Sequence, residues 1–383
     1  MGAGEGGSLE EAASELRRRL EDAVRSHLMS DVPLGLFLSG GIDSSGLAVL
    51  MSGMMDSRVR TFSVGFEEAG ANELPYARLA AQAAGAEHRE VVVSPAQFFD
   101  TLPRLVWHED EPIAFPSSVP LYFVSRLARE HVKVVLTGEG ADELFLGYNR
   151  YRVTAWNERL GRAWRRFLPE VARRGVARGV RALPARARRY AERTFLTVPP
   201  GPRHLFYDNF AVFPQALQEG LFRDRALAGA DPHAELMRAF TAAEGGTLER
   251  ASAVDLQTYL VELLMKQDQM SMAASVESRV PFLDHELVEF AARLPTRHKL
   301  HGWTTKAVLR RALRDVVPAA ILTRPKMGFP VPVGRWLRGP FWGVVEEFVV
   351  GPRALDRGLL SPDAVRRLAD DHRAGRAEHG MRL

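Results

Sequence analysis

Leu34-Gly35-Leu36-Phe37-Leu38-Ser39-Gly40-Gly41-Ile42-Asp43-Ser44-Ser45-Gly46-Leu47 reads as a buried strand, a tight turn of small residues and the start of an apolar helix. Val32 to Leu38 is an apolar run interrupted by one Gly, which suits a strand covered on both faces. Ser39, Gly40 and Gly41 carry almost no side-chain bulk, so their backbone N–H groups can approach an anion. Asp43, Ser44 and Ser45 then open the helix, whose unpaired first N–H groups and dipole favour negative charge. The composition is that of a phosphate cradle. It is not the Walker pattern, because no Gly-Lys-Ser/Thr follows. An ordinary strand-to-helix turn with an N-cap is the plainer alternative for these residues taken alone.

The 383 residues can bury a large core and are expected to divide into two lobes. A hydrophobic content of 46% with 26% charged residues is that of a globular protein, and the formal charge of +4 is mildly basic. No cysteine is present, which excludes a disulfide, a thiol nucleophile and a Cys-based metal site. No apolar run approaches the ~20 residues needed to span a bilayer, and no signal-peptide or myristoylation pattern opens the chain. Cytoplasm is the default expectation.

Strands and helices alternate around the cradle. Residues 1–8 are Gly-rich and expected to be disordered. Leu9–Met29 has helical spacing, Thr61–Phe66 and His88–Val93 read as strands, and Glu73–Ala84 as a helix ended by Gly85. Helices over Pro95–His108 and Pro120–His131 precede a strand from Val132 to Leu136. The alternation predicts a doubly wound parallel α/β sheet. Its fourth strand runs into Thr137-Gly138-Glu139-Gly140-Ala141-Asp142-Glu143, small residues and three carboxylates at the strand's carboxyl end. In open α/β sheets ligands bind at that edge, where strand order reverses. If the first and fourth strands are neighbours, Asp43 and Asp142 face each other and could hold Mg²⁺, which is bound by one or two carboxylates with phosphate oxygens. A capped helix start is the bland reading of the second motif.

From about Tyr148 the pattern becomes helical, giving expected domains of 9–150 (the cradle-bearing core) and 151–383 (a mostly helical C-terminal lobe). Arginines crowd Trp156–Arg193, interleaved with apolar residues at helical spacing; a solvated helical hairpin accounts for them better than nucleic-acid binding. Ala253–Met272 reads as one long helix, and Asp284 is placed to cap the next. Thr304–Val317 is expected to be helical with Lys306 in its first turn, where a cation is unfavourable unless an anion is near. Thr323 to Pro332 is a stiff loop presenting Lys326.

Four motifs in this order, Ser39–Ser45, Gly138–Glu143, Met265–Asp284 and Arg324–Pro332, resemble the synthetase portion of the glutamine-dependent asparagine synthetase family, from about residue 9 to the end. Ser39–Ser45 itself resembles the pyrophosphate loop (PP-loop) of the ATP pyrophosphatase group. The resemblance implies a carbon–nitrogen ligase in which ATP and aspartate form β-aspartyl-AMP and pyrophosphate, and ammonia then displaces AMP. It implies a nucleotide pocket lined by Phe37, Val64, Thr137 and Gly138, largely through backbone, beside the cradle residues Ser39, Gly40, Gly41, Asp43, Ser44 and Ser45. Within that scheme Mg²⁺ sits on Asp43 and Asp142, Glu139 is the general base, Lys326 stabilises the oxyanion and departing phosphate, and Lys306 contacts pyrophosphate.

Full-length members of that family begin with a glutaminase domain whose N-terminal Cys is the nucleophile, and here there is no Cys. The expectation is a synthetase domain without it, using ammonia or the product of a separate glutaminase domain or subunit; a homodimer is left open. Relatives that close β-lactam or macrolactam rings, acting on another carboxylate, are the alternative, although the β-lactam formers replace the residue at Glu139 with Tyr. A non-catalytic subunit and an RNA-modifying pyrophosphatase are further alternatives, the latter motivated by the arginine helices. Neither a membrane nor a nucleic-acid partner is expected.

Overall fold

The computed structural model describes residues 7–324, 326–328 and 331–383. The expectation of disorder over residues 1–8 therefore lies outside the described residues except at its end, as do Pro325 and Pro330 of the stiff loop. Ser8 is ordered for a clear reason. Its hydroxyl accepts from the Glu11 N–H, and the Glu11 carboxylate accepts from the Ser8 N–H, a reciprocal cap that starts helix α1 (Leu9–His27).

The elements that follow are β1 (Leu34–Phe37), α2 (Ile42–Ser52), β2 (Arg60–Gly65), α3 (Leu74–Ala83), β3 (Glu87–Val92), α4 (Pro95–Glu109), α5 (Ser118–Arg129), β4 (Val134–Leu136) and α6 (Ala141–Leu144). Five strands pair in parallel in the order β3-β2-β1-β4-β5, where β5 is Glu277–Arg279. The order reverses between β1 and β4, which places the loops after these two strands side by side. Leu34 pairs with Val134 and Leu36 with Leu136.

Helices cover both faces, so the strands carry apolar residues on both sides. Leu34, Leu36, Val134 and Leu136 pack with Leu16, Leu20 and Val24 of α1, Leu47 and Met51 of α2, and Ala77, Ala80 and Ala81 of α3. On the opposite face Phe62, Val135 and Val276 pack with Val124 and Ala128 of α5. Burying each of the larger side chains stabilises by roughly 1.5–3 kcal/mol. Gly35 is required by this arrangement, because a Cβ there would lie 2.8 Å from the Phe62 ring.

Two units emerge from the packing, Met1–Asn149 with Asp255–Val331, and Arg150–Val254 with Pro332–Leu383. The break near residue 150 falls where the helical character begins, but residues 255–331 belong with the sheet rather than with the helical stretch. The second unit contains α7 (Asn149–Phe167), α8 (Glu170–Arg181) and α9 (Ala185–Ala191), the arginine-rich helices. On α8 Val180 is the one buried residue, in keeping with a solvated hairpin.

Three local expectations differ from the structure. Ala253–Met272 is two helices, Thr247–Gln257 and Tyr259–Met272, parted at Thr258, whose φ of −130° and ψ of −77° are not helical. β5 was not anticipated, since Glu-Ser-Arg has neither length nor apolar character. Thr304–Thr305 is a strand, β7, paired antiparallel with β6 (Leu300–His301), so the helix begins only at Ala307 and ends at Ala312. Lys306 is thereby the N-cap, not a first-turn residue.

Candidate functional site

The loop after β1 is a tight turn, as its small residues predict. Gly41 caps α2 with extended backbone, and Ser44 Oγ lies 3.1 Å from Ser39 Oγ and accepts from the Ser39 N–H at 3.2 Å. The Gly41 N–H donates to Ser39 Oγ at 3.3 Å. Gly40 has a φ of +72°, and a Cβ there would lie 2.5 Å from the backbone of Tyr76 and Ala77, so neither the conformation nor the space admits another residue. Ser45 Oγ is buried without a hydrogen-bond partner among the described residues.

Gly138 brings the second loop against the first: a Cβ on it would meet the Asp43 Cβ at 3.0 Å. Gly140, at φ +89°, caps the short helix α6 and delivers Asp142 and Glu143 in its first turn. Asp43 and Asp142 then converge on one cation, the ammonium group of Lys306. Its Nζ is 2.7 Å from both Asp43 oxygens and 2.7 Å from Asp142 Oδ1. Lys326 adds a contact of 2.6 Å to Asp142 Oδ2. Burial alone would raise the Asp142 carboxyl, but the charges of Lys306 and Lys326 outweigh it and hold the group well below the usual carboxylate range. Partial burial opposes the charge on Lys326, whose side chain is 35% exposed, while Asp142, Asp43 and Glu139 keep its pKa above the ordinary lysine value.

Lys306 is 2% exposed and has a φ of +52°, a left-handed backbone that costs roughly 1–3 kcal/mol for a non-glycine residue. The fold holds it there from three directions. The hairpin β6–β7 delivers it, its N–H donates to the Phe145 carbonyl at 3.2 Å, and its side chain is fixed by the two aspartates. Gly147 closes over this cluster, with no room for a Cβ, which would come 1.9 Å from Asp142 Oδ1 and 2.1 Å from Lys306 Cε.

An open crevice is lined by Ser39, Gly41, Asp43, Lys306, Arg324 and Lys326, among others. Glu139 is half-buried at its edge of the sheet, makes no hydrogen bond or ion pair among the described residues, and acts electrostatically on Lys326 and Glu143. Thr137 is buried, and its N–H is used by the Arg279 carbonyl of β5 at 2.9 Å. Phe37 and Val64 pack their side chains into the cluster under α5, so any part they play at the crevice falls to their backbone.

Sequence reading assigned no role to several residues gathered here. The Tyr148 hydroxyl donates to Glu143 at 2.5 Å, and the Tyr148 ring packs edge-on against Tyr259 at 5.7 Å. Burial pushes the Glu143 carboxyl up to about 7; the Tyr148 hydrogen bond opposes this while the negative charges of Asp142 and Glu139 add to it. Arg324 reaches the Gly40 carbonyl, Glu73 and the face of Tyr76. Of these, Arg324 stands inside a quoted motif, beside Lys326; Glu73 carried no local signal at all. The polar residues of the Met265–Asp284 motif are largely tied to structure, with Gln267 donating to Ser278 Oγ at 2.8 Å and Gln269 to the Glu109 carbonyl at 3.1 Å.

A parallel sheet with a small-residue loop at its switch point, beside paired aspartates and lysines, defines a doubly wound α/β protein of the PP-loop type. Residues 15–383 match the asparagine synthase family. The chain belongs to that family. A Bacillus subtilis protein named asparagine synthetase (glutamine-hydrolyzing) 1 is 35% identical over 376 residues, covering 96% of this chain and 57% of the relative. A Mycobacterium tuberculosis protein that bears the name "Putative asparagine synthetase" is 41% identical over 380 residues, covering 96% of this chain and 55% of the relative. The Gibberella zeae protein named amidase chry2 is 26% identical over 398 residues, covering 95% and 59%. The chain thus spans a little over half the length of the curated relatives it matches. No described helix is long and apolar enough to cross a membrane.

Proposed function

We propose that the chain performs ATP-dependent amidation of aspartate to asparagine through β-aspartyl-AMP, with release of AMP and pyrophosphate. The observation that carries this reading is the convergence of Asp43 and Asp142, from the loops after β1 and β4, with Lys306 and Lys326 beside the cradle. In the first half-reaction a carboxylate oxygen of aspartate attacks the α-phosphorus of ATP, and the bond to pyrophosphate breaks. That step needs alignment and charge neutralisation more than covalent help from the protein. The N–H groups of the cradle and the start of α2 hold the phosphates, and Lys306 and Lys326 offset their charge. In the second half-reaction ammonia attacks the acyl carbon, AMP departs, and Glu139 takes the proton that nitrogen loses.

The donor set also suits Mg²⁺. Two carboxylates with phosphate oxygens are what this cation uses, and the oxygens of Asp43 and Asp142, held here by Lys306 and Lys326, would pass from the ammonium groups to it. Asp43 and Asp142 would hold it, and it would supply charge neutralisation on the polyphosphate.

A second reading is an amide- or macrolactam-forming ligase that acts on a different carboxylate; one relative, at 26% identity, carries a name other than asparagine synthetase, amidase chry2. Isotope exchange between pyrophosphate and ATP separates the two. Exchange that requires aspartate supports the first reading; exchange that ignores aspartate but responds to another carboxylic acid supports the second, and none with any acid overturns both. Ammonium and glutamine supplied in turn as nitrogen source, with and without a glutaminase partner, test the amine donor.

A further inference from the structure

We infer that Arg324 is the positioning residue that holds the Gly40–Gly41 peptide in its anion-binding orientation, an inference that rests on the reading of the cradle as a polyphosphate site. Two adjacent glycines are a weak point in such a loop. With no Cβ on either side, the two residues themselves offer little resistance to rotation of the peptide plane between them. A trans peptide points its C=O and the next N–H in opposite directions, so the same unit can offer an anion either a donor or a carbonyl oxygen. A flipped plane would turn an attractive cradle into a repulsive one. Within the loop the plane is held by the 3.3 Å bond from the Gly41 N–H to Ser39 Oγ, the bond an anion would compete for, so a second hold has to come from outside.

Arg324 is placed to do so. One terminal nitrogen, Nη1, donates to the Gly40 carbonyl at 3.3 Å, and the other, Nη2, is ion-paired with Glu73 at the start of α3. The guanidinium carbon lies 4.0 Å from the centre of the Tyr76 ring, and the Arg324 side chain is 7% exposed. Holding the Gly40 oxygen on the α3 side leaves the Gly41 N–H on the side of Ser39 Oγ, within the crevice lining. A bond from a charged donor is about twice as strong as a neutral one, and the fork lets one side chain clamp a carbonyl and a carboxylate together. A buried Arg–Glu pair by itself adds little to stability. The third contact, to a backbone carbonyl of the cradle, is what gives this pair a function.

Both terminal nitrogens of Arg324 are thus engaged within the protein, which argues for action through Gly40 rather than on the phosphates. The placement has a further effect, because Arg324 stands two residues before Lys326, which reaches Asp142 on the other side of the crevice. One short segment therefore sets the donor geometry of the first loop and delivers a cation to the second.

The test uses the whole chain, with Arg324→Lys, Glu73→Gln and the double variant. Inorganic pyrophosphate with Mg²⁺ is the calorimetric probe. Arg324→Lys keeps the charge but loses the fork, and is expected to weaken pyrophosphate binding about tenfold or more. Glu73→Gln loosens the clamp and weakens binding in the same direction, with the double variant no weaker than Arg324→Lys alone. Amide hydrogen exchange at Gly41 in the ligand-free protein is expected to quicken at least about tenfold in both single variants while amides of α1 keep their rates. Wild-type affinity together with wild-type exchange in Arg324→Lys overturns the inference. So does binding that weakens in Arg324→Lys but is unchanged or tighter in Glu73→Gln, since that pattern belongs to an arginine touching phosphate directly. A wild-type chain that binds neither pyrophosphate nor ATP overturns the proposed function instead, and the exchange rates at Gly41 still decide whether Arg324 fixes the peptide.

Discussion

Lys306 stands 263 positions beyond Asp43, and its ammonium nitrogen lies 2.7 Å from both of that residue's carboxylate oxygens. With Asp142 and Lys326 this makes a cluster of two carboxylates and two ammonium groups whose formal charges cancel. A balanced cluster can be buried; an unbalanced one cannot.

Replacing Lys306 with Met removes the shared cation and leaves Asp43 and Asp142 facing each other. Breaking a buried pair from one side costs about 3–5 kcal/mol. Urea unfolding of Lys306→Met should show a loss on that scale, and Asp43→Asn in the same chain should restore part of it. An unchanged unfolding midpoint in Lys306→Met would contradict the bridging role.

Gly147→Ala should abolish pyrophosphate–ATP exchange, because the added methyl lands on Asp142 Oδ1 and Lys306 Cε. Overpacking of this kind costs typically about 1–3 kcal/mol, so the chain should still fold. Measured together, a melting curve lowered by a few degrees with exchange lost is the expected result. Normal exchange would mean that the cluster can move without consequence.

Glu139→Gln should separate the half-reactions. Adenylation needs positive charge around the phosphates and should survive, while amide formation loses its proton acceptor and falls by ~10²–10⁴-fold. Pyrophosphate release and amide formation are assayed side by side. Equal loss of both would make Glu139 a nucleotide- or metal-contacting residue, and loss of neither would leave Gly138–Glu143 as a helix start alone.

Glu143 supplies a pH dependence. Its carboxyl is raised from the usual 4.5 to about 7, chiefly by burial, so the folded state favours the protonated form. The associated stability is fully present below pH 4.5 and is lost as pH rises towards and through 7. Glu143→Gln cannot ionise and avoids that loss, so its stability relative to the parent should climb between pH 5 and 8, by about 3 kcal/mol at most. Urea midpoints that shift in parallel over this range would disprove the assignment.

Much of this arrangement could be read from the residues, and the physical reason is local. β1 and β4 are apolar runs and β2 alternates, punctuated by Gly, Pro and capping residues, and the loops after β1 and β4 carry the small and acidic side chains that mark an anion site. Lys306 kept its signal but lost its position: a cation at a presumed helix start did point to nearby negative charge, which proved to be Asp43 and Asp142. Its left-handed backbone follows from the two-residue pairing of β6 with β7, too short to register as a pattern. β5 carries charged ends and no alternation, and is a strand only because β4 lies beside it. Arg324, Glu73 and Gly40 meet across 251 to 284 positions of chain, a distance over which no local pattern reaches.

The return of residues 255–331 to the sheet has a consequence for synthesis. When the nascent chain has delivered Asp43 and Asp142, the residues of four of the five parallel strands have been made, but β5, both lysines and Arg324 are still to be translated. At about 5–20 residues per second, Lys326 follows Asp142 by roughly 10–40 s. For that interval neither acidic loop has the counter-charge that the finished fold gives it, because the residues that supply it lie beyond the helical excursion.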